Sequence, residues 1–275
     1  MKFLSGAYDV LISIYALSLL FYFSDCIRRN RSAKRMGTGL LALASILQIT
    51  VIAIRWLQAN GLPIFTRFDF LNWLTVSLVL ISLIMSFFQK SEYAILLLGV
   101  ISFCIIVLNR FWMPVSDHVA GNWDGVRGLL VLHITLASLS FAALTVASVF
   151  ACMYLYLHRK LKVKKWDDTV RRLPSLEMID KYTYSAMLIG VPLLIASLIL
   201  AMLSLYEEKR WELLLDLKVS STLMALAIYG WYFVRKRSSQ HSGAMMARWT
   251  LLGYAFTILN FVLNSWSEFH RWTGA

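Results

Sequence analysis

Long apolar blocks alternate with short polar segments along this chain, and apolar residues do not recur at the period of an amphipathic helix or strand. A bilayer core about 30 Å thick needs about 20 consecutive apolar residues of helix, and blocks of that length recur throughout. Each block must be helical, because lipid offers no hydrogen-bond partner to free backbone groups. The pattern predicts an all-α, polytopic integral membrane protein of about eight transmembrane helices, near residues 4–24, 38–57, 69–88, 93–110, 128–157, 184–206, 212–234 and 246–267.

Composition supports this class of protein. Hydrophobic residues make up 59% of the 275 residues and charged residues only 15%, which is far more apolar than a soluble domain. A soluble helical bundle would need polar stripes that these blocks lack. No linker, internal repeat or low-complexity tract interrupts the chain, so we expect one membrane domain over residues 1–275.

The distribution of basic residues predicts the orientation. With the N-terminus outside, the inner segments hold 18 of the 27 Lys and Arg residues, as the positive-inside rule requires. Both termini are then expected outside. The first block is expected to remain in the protein as a helix, because its charges follow the apolar stretch instead of preceding it. The net charge of +12 then lies on the inner face, where it predicts contact with anionic lipid and gives no indication of nucleic-acid binding.

The largest polar segment is the inner loop 158–183, which begins with a strongly basic stretch. Pro174 and Ser175 within it predict the start of a helix, with Glu177 in the first turn. We interpret the loop as an interfacial connector, with a docking site for a soluble partner as the alternative.

The five histidines divide between the two sides of the predicted membrane. His158 and His241 fall among inner basic residues, whereas His118, His133 and His270 fall outside. Counting about 20 residues from the inner ends of the fifth and eighth helices places His133 and His270 at a similar depth near the outer interface. One interpretation is ordinary interfacial decoration. The other is a pair of axial ligands to the iron of a flat macrocycle between aromatic side chains; for His118 the sequence predicts no role.

Other chemistry has little support. The sequence contains no H-E-x-x-H, C-x-x-C, G-x-x-x-x-G-K-[ST] or G-x-S-x-G motif, so zinc hydrolysis, nucleotide-driven transport and serine hydrolysis lack their usual residues. No residue set supports bond-making chemistry, and we do not expect an enzyme.

The second half of the chain resembles the cytochrome c assembly family of the CcmC/CcsA type over about residues 128–272. The resemblance is carried by LHITLASLSFAALTVASVFACMYLYLHRKLK, by the linker LPSLEMIDKYTYSAMLIGVPLLIASLILAM and by the terminal LNFVLNSWSEFHRW. Residues 1–127 supply four further helices, and their first stretch, FLSGAYDVLISIYALSLLFYFSDCIRRNRSAKRM, is similar to the HemX type of Gram-positive bacteria, a small eight-helix branch of the family.

The chain also departs from the family pattern. The tryptophan-rich outer motif ending in W-D-P-K is reduced here to YEEKRWELLLDLKVS, and the stretch AIYGWYF lacks the second, intramembrane histidine of haem-exporting members. A complete relay of haem from the inner to the outer side is therefore not expected.

The resemblance implies non-covalent, b-type haem at the outer face, with His133 and His270 as axial ligands to its iron. Trp211 and Trp266 would then pack on the ring, and Arg127, Lys218 or Arg271 would pair with the propionates. The HemX type implies a regulator of haem biosynthesis in a bacterial plasma membrane, associated with lowering the amount of glutamyl-tRNA reductase. The alternatives are a haem chaperone or transporter working with cytochrome c maturation proteins, and a haem-free membrane scaffold for a partner enzyme.

Overall fold

The computed structural model describes residues 2–59, 67–88, 90–112, 125–164, 167–207, 217–238 and 242–263. These residues form eight long helices and one short helix, and they contain no strand. In chain order the helices are α1 (Lys2–Ile27), α2 (Arg31–Ala59), α3 (Arg67–Met85), α4 (Glu92–Trp112), α5 (Gly125–Lys162), α6 (Asp168–Arg172), α7 (Leu176–Glu207), α8 (Leu217–Arg237) and α9 (Gly243–Leu263).

The eight long helices coincide with the eight apolar blocks of the sequence. Six of them, α1 to α5 and α7, are long and apolar enough over their described residues to cross a membrane. Helices α8 and α9, of 21 residues each, occupy the last two blocks. The prediction of an all-α, polytopic membrane protein is confirmed, while the outward orientation of both termini stays a prediction.

The chain divides into two compact units, and the first comprises Met1–Gly121 together with Asp167–Pro174. Within it α1 packs against α2 and α4, and α3 packs against α2 and α4, so the four long helices close into a bundle. Its core contains the fully buried Leu11, Tyr15 and Tyr22. Short helix α6 also belongs to this unit.

The second unit comprises Asn122–Trp166 together with Ser175–Ala275. Helix α5 is at its centre and packs against α7 and α9, while α8 packs against α9. The buried face of α5 is lined with small side chains such as Ala142, Ala147 and Ala151. Small side chains let helix backbones approach closely, which is the main source of helix association in lipid. The single membrane domain expected over the whole chain stays a prediction.

The predicted helix start in the inner loop is correct. Helix α7 begins at Leu176, the hydroxyl of Ser175 accepts a hydrogen bond from the Met178 amide at 3.3 Å, and Glu177 lies in the first turn. The helix continues without a break to Glu207. Linker and sixth apolar block are thus one helix, whereas the sequence suggested a span starting near residue 184.

Candidate functional site

Helix α5 presents His133 to helix α7, and a glycine makes this close contact possible. Gly190 of α7 faces Leu144 and Ala143 of α5, and a Cβ added to it would lie only 3.0–3.2 Å from their side chains. At the same level the Ser140 hydroxyl donates to the carbonyl of Gly190 at 2.8 Å. A larger residue at 190 would hold the two helices further apart.

Two turns further along this interface, the His133 ring contacts Ser197 of α7. Nδ1 lies 2.7 Å from the Ser197 carbonyl oxygen and 2.9 Å from its Oγ, and that Oγ donates to the His133 carbonyl at 3.2 Å. A carbonyl can only accept, so Nδ1 must carry the proton. In a neutral ring the lone pair is then on Nε2. Metal-binding histidines are commonly oriented in this way, with one ring nitrogen donating to a carbonyl and the other coordinating.

The contact lies near one end of the second unit. At the other end, Asp180 of α7 forms an ion pair with Lys236 of α8 at 2.5 Å. Ser197 is 17 residues beyond Asp180, about 25 Å along the helix axis at 1.5 Å per residue. Charged side chains belong at the edge of the hydrocarbon core, which is about 30 Å thick. The distance along α7 between the His133 contact and the Asp180–Lys236 pair is thus close to the thickness of that core, which agrees with the predicted position of His133 near the opposite interface.

Helix α9 is aligned antiparallel to α5 by specific contacts. Phe141 and Phe261 meet edge to face with 6.5 Å between ring centroids, and the Thr145 and Tyr254 hydroxyls are 2.8 Å apart. His133 is eight residues before Phe141, about 12 Å toward the N-terminal end of α5. The last described residue of α9, Leu263, is two residues after Phe261, about 3 Å in the same direction. The level of His133 is thus about 9 Å beyond the described end of α9.

Further hydrogen bonds join α9 to α8. The Tyr229 hydroxyl is 2.9 Å from the Thr257 hydroxyl, and the Asn260 amide donates to Thr222. The Tyr229 ring lies directly over Gly253, where a Cβ would overlap it. These contacts hold α9 against α8.

The remaining predicted site residues cannot be compared with the structure. Arg127 lies in the first turn of α5 and Lys218 in the first turn of α8, and their side chains fall outside the described part. The other four, Trp211, Trp266, His270 and Arg271, lie outside the described residues altogether. Among the described residues, no group of three or more His, Cys, Asp or Glu side chains is arranged to hold a bare metal ion.

The structure also brings together polar residues that sequence reasoning did not combine. In the first unit Arg55 of α2 and Asp69 of α3 form a buried ion pair at 2.5 Å, with side chains 10% and 4% exposed. Further along the same helices, the Gln48 amide donates to Asn72 Oδ1 at 3.1 Å. The available signal in the sequence was the presence of charged residues inside apolar blocks. The sequence did not indicate which of these residues would pair.

The chain is similar to known membrane proteins. The sequence profile of the family described as Cytochrome C assembly protein matches residues 68–270. Two relatives, each named Protein HemX, are 31% identical to the chain. The protein of Brevibacillus brevis aligns over 96% of this chain and 97% of its own length, and that of Bacillus subtilis (strain 168) over 94% of each. The cytochrome c biogenesis protein CcsA of Trieres chinensis is 23% identical over 62% of this chain and 54% of that protein.

Proposed function

Because the chain belongs to the cytochrome c assembly protein family, whose members are associated with haem, we propose that this multi-pass membrane protein binds haem near its outer face and regulates haem biosynthesis. Its expected location is the plasma membrane of a bacterium, in line with the Bacillus and Brevibacillus relatives. The proposal gives the protein a sensing role and assigns it no catalytic step.

One contact carries the proposal. The hydrogen bond of 2.7 Å between His133 Nδ1 and the Ser197 carbonyl supports Nδ1 as a protonated nitrogen, so that in the neutral imidazole the lone pair is on Nε2, the form that haem iron requires of an axial ligand. It also fixes the ring orientation before any ligand arrives. His133 thus fits the role of one axial ligand.

His270 is the proposed second ligand. It follows Leu263 by seven residues, and seven residues span about 10 Å as a helix and up to about 23 Å when extended. The chain is therefore long enough to cover the 9 Å or so that separate the described end of α9 from the level of His133. Bound haem would supply an iron centre that takes two axial imidazoles.

Further residues are proposed to hold the macrocycle itself. Trp211 and Trp266 would pack against the faces of the ring, since aromatic side chains offer flat apolar surface. Arg127, Lys218 or Arg271 would pair with the propionates, because a guanidinium or ammonium group forms charge-assisted hydrogen bonds to a carboxylate. With these contacts we propose that the protein binds b-type haem non-covalently.

The pattern of relatives favours regulation over cytochrome c maturation. The two HemX proteins align along nearly their whole length, first unit included, whereas the CcsA protein aligns over about half of its own length. We propose that haem occupancy lowers the amount of glutamyl-tRNA reductase, with the inner segments 26–36 and 158–181 as the surfaces that transmit the signal. The family and the CcsA match support the alternative, a haem chaperone working with cytochrome c maturation proteins.

The test is an absorption spectrum of the detergent-purified protein. Wild type is compared with His133→Ala, with His270→Ala and with the control His158→Ala, which removes a histidine from the other end of α5. We expect a Soret band with sharp reduced α and β bands in wild type and control, altered or lost in the other two variants. A wild type that stays colourless after haem reconstitution would refute haem binding and favour the haem-free scaffold.

A second measurement separates regulation from maturation. Cells expressing wild type or His133→Ala are compared for the amount of glutamyl-tRNA reductase and of covalent cytochrome c. Regulation predicts a higher reductase level in the variant with unchanged cytochrome c. The opposite result would support the chaperone.

A further inference from the structure

The first unit contains a cavity of about 940 Å³ at the end where α1 meets α2 and α3 meets α4. Its walls come from the α1–α2 turn, from the α3–α4 turn and from short helix α6. By the positive-inside bias this is the inner end of the bundle. The cavity is separate from the His133 contact, which belongs to the second unit.

The cavity is strongly basic. Its lining includes seven Lys and Arg residues against two carboxylates, those of Asp25 and Glu92. Both carboxylates already have partners, since Glu92 forms an ion pair with Lys34 at 2.7 Å and Asp25 accepts a hydrogen bond from the main-chain amide of Asn30 at 2.8 Å. The lining therefore carries an excess of positive charge that a bound anion would compensate.

Helix α6 is fixed as one wall of the cavity. Arg172 donates through Nη1 to the carbonyls of Asp25 at 2.9 Å and Cys26 at 3.1 Å, which are among the last of α1. Its neighbour Arg171 also lines the cavity and is exposed. The inner loop thus contributes a charged wall to a site that the four long helices alone would leave open.

Part of the cavity lining is apolar. Phe87 and Phe88, which follow the last residue of α3, line the cavity with 88% and 54% of their surface exposed. Gly39 and Ala42 of α2 also line the cavity, and a Cβ added to Gly39 would meet nothing within 4 Å. Exposed phenylalanines beside arginines suit a ligand with an anionic head and an apolar body, and a soluble anion would leave the phenylalanines unused.

We infer that this cavity binds the headgroup of an anionic phospholipid from the adjacent leaflet. The basic residues hold the phosphate, and the acyl chains pass along Phe87, Phe88 and the open face of α2. Basic pockets between transmembrane helices are suited to such headgroups. The site turns the general attraction of a basic face for lipid into binding at one defined place, and it does not depend on haem.

Lipid titration of the full-length, haem-free protein in detergent tests this inference. Phosphatidylglycerol or phosphatidylcholine is added, and binding is followed by native mass spectrometry and by the apparent melting temperature. The cavity variant is Arg31→Gln with Arg35→Gln, two exposed lining residues. The control is Arg28→Gln with Arg237→Gln, which removes the same charge from exposed residues outside the cavity lining.

We expect one tightly bound phosphatidylglycerol molecule per chain and much weaker binding of phosphatidylcholine. Each basic residue near a lipid surface contributes roughly a fivefold change in affinity, so the cavity variant should bind phosphatidylglycerol about 30-fold more weakly. The control should change by less than about threefold. Melting temperatures without lipid show whether both variants are folded.

Three results would overturn the inference. Equal weakening in both double variants would mean unspecific surface electrostatics. Equal stabilisation by inorganic pyrophosphate would assign the cavity to a soluble anion. Stabilisation by haemin that disappears only in the cavity variant would assign it to a tetrapyrrole. Phosphatidylglycerol binding that persists in His133→Ala would support the lipid site even if the proposed haem site fails.

Discussion

Replacing Ser197 by alanine tests how the His133 ring is held. The change removes the hydroxyl 2.9 Å from Nδ1 but keeps the main-chain carbonyl at 2.7 Å. A neutral hydrogen bond contributes about 0.5–1.5 kcal/mol, so haem affinity should fall about twofold to tenfold. This loss of affinity is smaller than the 10- to 100-fold loss that is typical when a metal-ligating histidine loses its hydrogen-bond partner completely. The bis-imidazole spectrum should remain, because the carbonyl still fixes the protonated nitrogen.

The matched control is Ser204→Ala, further along the same helix. Ser204 is buried to a similar extent, and among the described residues its hydroxyl donates to the Leu200 carbonyl of its own helix. Haem titration of wild type, both serine variants and His133→Ala gives four dissociation constants. The reasoning is wrong if Ser197→Ala binds haem as tightly as the control, or if it loses haem as completely as His133→Ala.

Two further predictions concern packing in each unit and do not depend on haem. Gly253→Ala should lower the unfolding free energy by about 1–3 kcal/mol relative to Gly230→Ala. The reason is that the new methyl group overlaps the buried Tyr229 ring, whereas a methyl group at Gly230 would enter open space. Equal apparent melting temperatures of the two variants in detergent would contradict this prediction. Asp69→Asn should lower the unfolding free energy by about 3–5 kcal/mol, because it leaves buried Arg55 without its charge partner. The double variant Arg55→Met with Asp69→Leu should lower it by less than the single change. A double variant at least as unstable as Asp69→Asn in the same assay would refute the buried-pair argument.

Helix existence and number followed from the sequence with little ambiguity. Every apolar block is a long helix, because a single segment in lipid can pair all of its backbone N–H and C=O groups only by forming a helix. Helix limits were less accurate. Helix α7 begins eight residues earlier than the predicted block at 184, since its first two turns contain the charged Glu177, Asp180 and Lys181 and lie before the apolar run.

The candidate site was predictable only in part. His133 was identified from its position at the start of a long apolar block and from the family resemblance. Ser197 was not identified, because a serine within an apolar helix is common. Ser197 and His133 lie on different helices, so their separation in sequence does not predict a contact. The same holds for Arg55 and Asp69, whose pairing depends on how α2 and α3 face each other.

The sequence by itself determined that this is a helical membrane protein, since the lengths and charges of its blocks are set by the thickness and polarity of the bilayer. Only the tertiary structure decided which faces meet: Gly190 admits α5, Ser197 thereby reaches His133, and Arg172 closes the basic cavity over the end of α1. The physical reason is that lipid solvates all apolar faces alike. Helix association therefore depends on close surface fit and a few hydrogen bonds, which composition and spacing do not encode.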